Sequence, residues 1–226
     1  MATRPVFLPM ASNNSPTREI PVEFTWHAGM AVTQKQKSIA SLHEAARKRL
    51  NLHRILEVST KSTVELGRKL SAFNMRVLLS DGGVTSVESA YQSSKVFAGG
   101  GPFTELLRAD SRTAKTDERL RSSGSLLRFQ FEDTVWPLDP PTAFYDWLYI
   151  SALAADAALA TGVREFDAFT DIEVNPERSL NCQARSVALF CSLSNSGELQ
   201  ELLSSQTRFL EVLRRLPPGT DQSRLL

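Results

Sequence analysis

The sequence predicts an α+β domain, mostly helical, with a small sheet and one buried central helix. Three patterns carry that reading. The run Thr142–Leu159 (TAFYDWLYISALAADAAL) is apolar almost all round, as a helix wrapped by its own protein has to be. Val32–Leu50 sets Ile39, Leu42, Ala46 and Leu50 at 3-4-4 spacing, the stripe of an amphipathic helix. Between the helical patterns lie short strand-like runs: Glu23–Trp26, Arg54–Ser59, Asn74–Leu79 and Leu126–Phe131.

Length and composition fit one domain: 226 residues, 42% of them apolar, are enough to bury a core. Residues 1–21 are polar and proline-punctuated and are expected to form a loop or edge arm. The domain proper then covers residues 22–216, and a loose tail, 217–226, follows Pro217-Pro218-Gly219. No run approaches the ~20 apolar residues that span a bilayer, and the first residues lack the pattern of a signal peptide. Cys182 and Cys191 lie on one expected helix, too far apart to bridge at about 1.5 Å of rise per residue. Reduced thiols point to a cytoplasmic protein. The formal charge of +1 excludes a general nucleic-acid coat but not a local basic patch. Three histidines and two cysteines show no ligand spacing, so neither metal nor cofactor is expected.

Taken in order, the first helix opens unusually. Thr33-Gln34-Lys35-Gln36-Lys37 puts amines where helix starts prefer acids, which makes Lys35 and Lys37 candidates for an anion or for chemistry. Thr63–Leu70 reads as a short helix leading into SAFNMRVLL. A tight turn at Asp81-Gly82-Gly83 follows, then a helix over Thr85–Phe97 (TSVESAYQSSKVF) that opens on a Thr85/Glu88 capping box. On that helix Glu88, Tyr91, Gln92 and Lys95 share one broad face. An acid, a phenol, an amide and an amine make a poor core face and a good pocket wall. Gly99–Pro102 stops the helix, and Ala109–Ser123 is a solvated helix carrying Arg112, Lys115, Arg119 and Arg121. After the central helix, Glu165–Phe190 holds Asp171 and Asn181 before another apolar helix, and Glu198–Leu216 forms a last one with a leucine face.

The run SVESAYQSSKVF resembles the signature helix of the NADAR (YbiA-like) superfamily, roughly S-E-H-x-x-Q-x-x-K-F after a strand. Glu88, Gln92 and Lys95 match; Ser89 replaces the histidine, and Phe97 comes one residue late. Ser71-Ala72-Phe73-Asn74 resembles the F-S-N-F segment that leads into the same unit. Phe169-Thr170-Asp171 and Asn181 match a later aromatic-x-Asp loop and an asparagine, although IEVNPERSL replaces the glycine-rich loop and Ala184 a glycine. The opening Phe24-x-Trp26-His27-x-Gly29…QKQKSIASLH, with the SAFN, FYDWLY and DAFTDIEVNP segments, is most similar to the NADAR branch associated with DarT-family DNA ADP-ribosyltransferases.

That resemblance implies an antitoxin enzyme, an N-glycosidase that removes ADP-ribose from guanine bases of DNA, single-stranded DNA above all, and releases ADP-ribose. The toxin is then its functional partner. Two alternatives stand beside it: an N-glycosidase acting on riboflavin-pathway intermediates, and a non-catalytic module that binds ADP-ribose or the toxin. Breaking a C–N bond at an anomeric carbon passes through an oxocarbenium-like state, which needs a carboxylate and a donor for the leaving base. Glu88 and Asp171 are the expected carboxylates. An amine offers a Schiff-base route, for which Lys35 and Lys37 are candidates. Tyr91 and Phe169 are expected to stack on a base, Arg178 to hold pyrophosphate and Lys95 to pair with a phosphate or carboxylate. Trp26, Phe73, Asn74, Gln92 and Asn181 complete the expected binding residues.

Overall fold

The computed structural model describes residues 1–10, 17–175 and 181–214. Strand β1 (Ala2–Pro9) pairs antiparallel with β2 (Thr17–Phe24) along its whole length. The expected loop or arm over residues 1–21 is therefore corrected to two strands. Prolines disguised them, but Pro5 and Pro21 face each other across the ladder, so both missing N–H groups fall at one position. Val6 and Phe7 of β1 and Ile20 and Val22 of β2 point into the core.

Helix α1 (Val32–Leu50) has the bounds its periodicity predicts, and ends at Asn51 in the left-handed region. It buries Ile39, Leu42 and Ala46 against Val6, Val22, Phe24 and Ile55. Short elements follow: β3 (Ile55–Glu57), α2 (Glu65–Lys69), and a hairpin of β4 (Arg76–Leu78) and β5 (Val84–Ser86). The signature segment is shorter than expected. Helix α3 (Val87–Ser93) is capped by Ser86, whose hydroxyl accepts from the Ser89 N–H, and not by Thr85, which belongs to β5. Lys95 opens a strand, β6 (Lys95–Phe97). The glycines after it follow that strand and do not end a helix.

A 3-10 turn (Thr104–Arg108) leads to α4 (Ser111–Thr116) and α5 (Arg119–Ser122), so the single helix expected over Ala109–Ser123 is two. Asp110 caps α4, and Asp117, in extended backbone, ends it. Strand β7 (Leu126–Phe131) has its expected bounds and lies between β6 and β8 (Thr134–Trp136).

The central helix is split as well. Helix α6 (Ala143–Ala155) gives way to α7 (Ala157–Val163) because the Asp156 carboxylate accepts from the N–H groups of Ala158 and Leu159, both at 3.0 Å, and starts a new helix. The expected burial holds for α6: Tyr149, Ile150 and Leu153 are 0% exposed. Its ring face joins Phe144 and Trp147 to Trp136, Phe129 and Phe131. Strand β9 (Ala168–Thr170) pairs parallel with β3 and touches β1 at Phe7, giving the sheet order β2-β1-β9-β3. Helix α8 (Gln183–Asn195) packs on α6, while α9 (Leu199–Ser204) and α10 (Gln206–Arg214) divide the expected last helix at Ser205. The expected tail, 217–226, lies outside the described residues.

Helix α2 fits so closely behind β3 that only glycine serves at Gly67. A Cβ there would lie 2.0 Å from the Glu57 carbonyl oxygen and 2.4 Å from Ser62 Oγ. Gly67→Ala should therefore cost about 1–3 kcal/mol of overpacking, read as a lowered midpoint in urea with an unchanged slope.

Candidate functional site

A cleft of about 620 Å³ opens where α3, the start of β6, α4 and the loop after β9 meet. Helix α3 is held there from both ends. Its Glu88 N–H donates to the Ala72 carbonyl, Phe103 N–H donates to Ser93, and Gln130 N–H donates to Ser94. These anchors come from distant parts of the chain, and they turn a seven-residue helix into a fixed wall. Glu88 and Gln92, one turn apart, point from it into the cleft.

The two expected carboxylates do share this cavity. Glu88 is buried; its Oε1 accepts from Gln92 Nε2 at 2.9 Å and lies 3.6 Å from Lys115 Nζ. With its amide nitrogen so used, Gln92 presents a buried Oε1 that has no partner. That oxygen can accept from a ligand hydroxyl or N–H. Asp171 lies just past the end of β9. Its Oδ1 accepts from the Glu173 N–H at 3.0 Å, and burial, with the Glu57 carboxylate behind it, holds its carboxyl well above the usual range.

Lys95 contributes an amine. Its Nζ sits 4.9 Å from the centre of the Tyr91 ring, and burial pushes its pKa down to about 8, with Glu88 pulling up and Lys115 pushing down. Because β6 leaves α3 at this point, Lys95 reaches the cavity from a strand edge and not from the helix face. Tyr91 is packed among Phe129, Phe144 and Tyr145, and its hydroxyl accepts from Asn181 Nδ2 at 2.6 Å. Burial raises its phenol far from ionisation. Phe73 is half-buried at the mouth, with Lys115 Nζ 4.9 Å from its ring.

Other expected residues fall elsewhere. Lys35 Nζ rests 4.7 Å from the Trp26 ring and Lys37 is exposed, and none of these three lines the cleft. The start of α1 instead stands beside the rim: Gln36 Nε2 donates to the Lys61 carbonyl, and Lys61 pairs with Glu173, which lines the cleft. Asn74 donates to the Arg68 carbonyl at 2.8 Å, closing the end of α2. Phe169 is corrected: at 0% exposure, in β9 between Phe7 and Leu56, it is core and cannot stack on a base. Arg178 lies outside the described residues.

Sequence reading missed Lys115, taken for a solvated lysine, and Gln183 at the start of α8. Gln183 bridges the cleft floor, accepting from the Ala72 N–H at 2.8 Å and donating to the Val58 carbonyl at 2.6 Å. A glutamine opening an apolar helix was the available signal.

A model of DarT1-associated NADAR antitoxins matches residues 2–222. The chain belongs to that family. No curated protein matches it. The NADAR match begins in β1, so the hairpin misread as an arm lies within the family's own extent. Membership makes the chain an antitoxin associated with DarT1. Among the described residues, no helix is long and apolar enough to cross a membrane, and no group of three or more His, Cys, Asp or Glu could hold a metal ion.

Proposed function

We propose that this NADAR antitoxin is an N-glycosidase that removes ADP-ribose from guanine bases of DNA modified by a DarT-family toxin. The observation that supports the reading best is one cavity holding a desolvated amine, Lys95, together with two buried carboxyl groups, Glu88 and Asp171. A volume of about 620 Å³ suits a nucleotide-sized ligand.

The chemistry divides among these residues. Asp171, kept protonated by burial, donates its proton as the sugar opens. The ring oxygen takes that proton as the C1–O bond breaks. The neutral Lys95 amine then adds to C1, and guanine departs with one of the amine's protons, leaving a protonated Schiff base whose extra proton returns to Asp171 on hydrolysis. Water then hydrolyses the Schiff base between Lys95 and C1, which releases ADP-ribose and restores the amine. Glu88 faces the positive charge that builds at the anomeric carbon. Gln92 Oε1 accepts from a ribose hydroxyl or a base N–H, and Phe73 offers a ring at the mouth. Lys115 supplies positive charge for pyrophosphate.

The amine route sets a pH dependence. Lys95 reacts as the neutral amine, so kcat/KM should fall about tenfold per unit as pH drops below about 8. A profile flat from pH 6 to 8 would instead favour water activated by a carboxylate. Asp171→Asn separates catalysis from binding: release of ADP-ribose should fall on the order of 10²-fold, while calorimetry should show ADP-ribose bound nearly as in the wild type. Equal turnover in the variant would overturn the role given to Asp171. Wild-type protein that binds ADP-ribose yet never releases it from DNA would make the cleft a reader.

A further inference from the structure

Behind the cleft lies a buried carboxyl group that the proposed reaction does not use. Glu57 ends β3 and is 2% exposed. Its Oε2 accepts from Thr170 Oγ1 at 2.7 Å, and its Oε1 accepts from the Ile172 N–H at 2.9 Å. The two donors belong to the residues on either side of Asp171. Parallel pairing of Glu57 with Thr170, and the 2.8 Å bond from Val58 N–H to the Thr170 carbonyl, fix the register from which this clasp is made.

The clasp extends to α1. His43 Nε2 lies 2.8 Å from Thr170 Oγ1. Since the Thr170 hydroxyl gives its only proton to Glu57, the histidine nitrogen has to be the donor, which sets its tautomer. Burial keeps that imidazole neutral, pushing it down to about 4. The chain His43–Thr170–Glu57 is thus one directed set of hydrogen bonds ending on an acceptor, and it demands that Glu57 accept at both oxygens.

We infer that Glu57 is a positioning residue for the proposed reaction: it holds the Thr170 hydroxyl and the Ile172 N–H on either side of Asp171 and sets a second carboxylate behind that side chain. The inference rests on the reading of Asp171 as proton donor. Burial raises Glu57 too, to about 7, but with donors on both of its oxygens it is the more readily ionised of the two, and Asp171, raised further, is the better holder of a proton. An isolated aspartic acid at that position would be ionised more readily, and would lose its use as an acid. Other groups act on Asp171 from the elements around it. Glu173 in its own loop is a further carboxylate, Cys182 stands at the start of α8, and Tyr145 and Tyr149 of α6 and Glu88 of α3 lie nearby. Glu173 in turn lies 3.8 Å from Lys61, which dilutes its charge. Glu57 is the second-largest influence on Asp171, after burial.

Glu57→Gln tests this, because glutamine keeps an acceptor for the Ile172 N–H while removing the charge. The ionisation of Asp171 is followed directly by its carboxyl carbon resonance in labelled protein, and kcat and ADP-ribose binding are measured alongside. The expected result is an Asp171 titration moved down by about one unit or more, kcat lowered about tenfold, and a Kd for ADP-ribose within about threefold of the wild type. Titration and kcat that overlay the wild type would overturn the inference, as would loss of binding and turnover in proportion. Should Glu57→Gln not fold, Thr170→Val removes one of the two clasps with Glu57 in place, and an unchanged kcat and titration there would be equally contrary. The carboxyl titration needs no turnover, so a wild-type protein that fails to release ADP-ribose would sink the glycosidase reading and leave this result legible.

Discussion

Lys95→Met should all but abolish the release of ADP-ribose from modified DNA, lowering kcat on the order of 10³-fold. Methionine keeps an unbranched stem against the Tyr91 ring but carries no amine, so the cleft keeps its shape and loses its nucleophile. Binding of ADP-ribose should weaken far less than turnover falls. Borohydride should trap wild-type protein on its substrate as a secondary amine, and should trap nothing on Lys95→Met. Lys35→Met and Lys37→Met should trap as the wild type does, since neither lines the cavity. Full activity in Lys95→Met would exclude Lys95 as the nucleophile, and with no borohydride trapping by Lys115 either it would return the reaction to water activated by Glu88 or Asp171.

Asp146→Ala should produce the largest loss of stability. Asp146 is 1% exposed in the middle of the core, where Arg185 Nη1 lies 2.6 Å from Oδ2 and Ser186 Oγ donates to Oδ1 at 2.7 Å. Removing the carboxylate leaves a largely buried guanidinium without its hydrogen-bonded counter-charge, with Glu19 left acting on it at longer range, a loss worth about 3–5 kcal/mol. For a domain of this size each kcal/mol moves Tm by roughly 2–4 °C, so a fall of about 10 °C is expected by calorimetry. The paired substitution Asp146→Leu with Arg185→Met should recover most of it, because both charges then go together. A single variant that melts with the wild type would show that Arg185 finds water.

The parts of the fold that were legible in the sequence are those fixed by local pattern. Helix α1 and strand β7 have the expected bounds because a local pattern marks each: the stripe from Ile39 to Ala46 in α1, and the alternation of Phe129 and Phe131 about Gln130 in β7. The breaks were harder. Asp156 reads as one polar residue in an apolar run until its carboxylate is seen to cap a second helix. The end of α3 was invisible for a different reason: Lys95 leaves the helix to pair with Phe129, a partner far along the chain. The cleft shows the same division. Glu88, Gln92, Lys95, Asp171 and Asn181 were found by their resemblance to a family pattern, and they do line one cavity. Glu57 and Lys115 were not, because their meaning comes from what packs against them. Glu57 lies 113 residues from Thr170, and nothing local marks a glutamate in a three-residue strand as a clasp. Phe169 failed in the opposite sense: two residues before Asp171, its ring is wholly buried in the core where β9 pairs with Phe7 and Leu56, and nothing local tells a core aromatic from a cleft one.

The proposed activity is the freeing of guanine from ADP-ribose in the cleft between α3 and the Asp171 loop. Its most direct test is mass spectrometry of a single-stranded oligonucleotide bearing ADP-ribose on guanine, incubated with wild-type protein and with the Lys95→Met and Asp171→Asn variants. The expected products are unmodified oligonucleotide and free ADP-ribose in equal amounts with the wild type, and almost none of either with the two variants. Modified DNA left intact by the wild type, or cleared at the same rate by all three proteins, would contradict it.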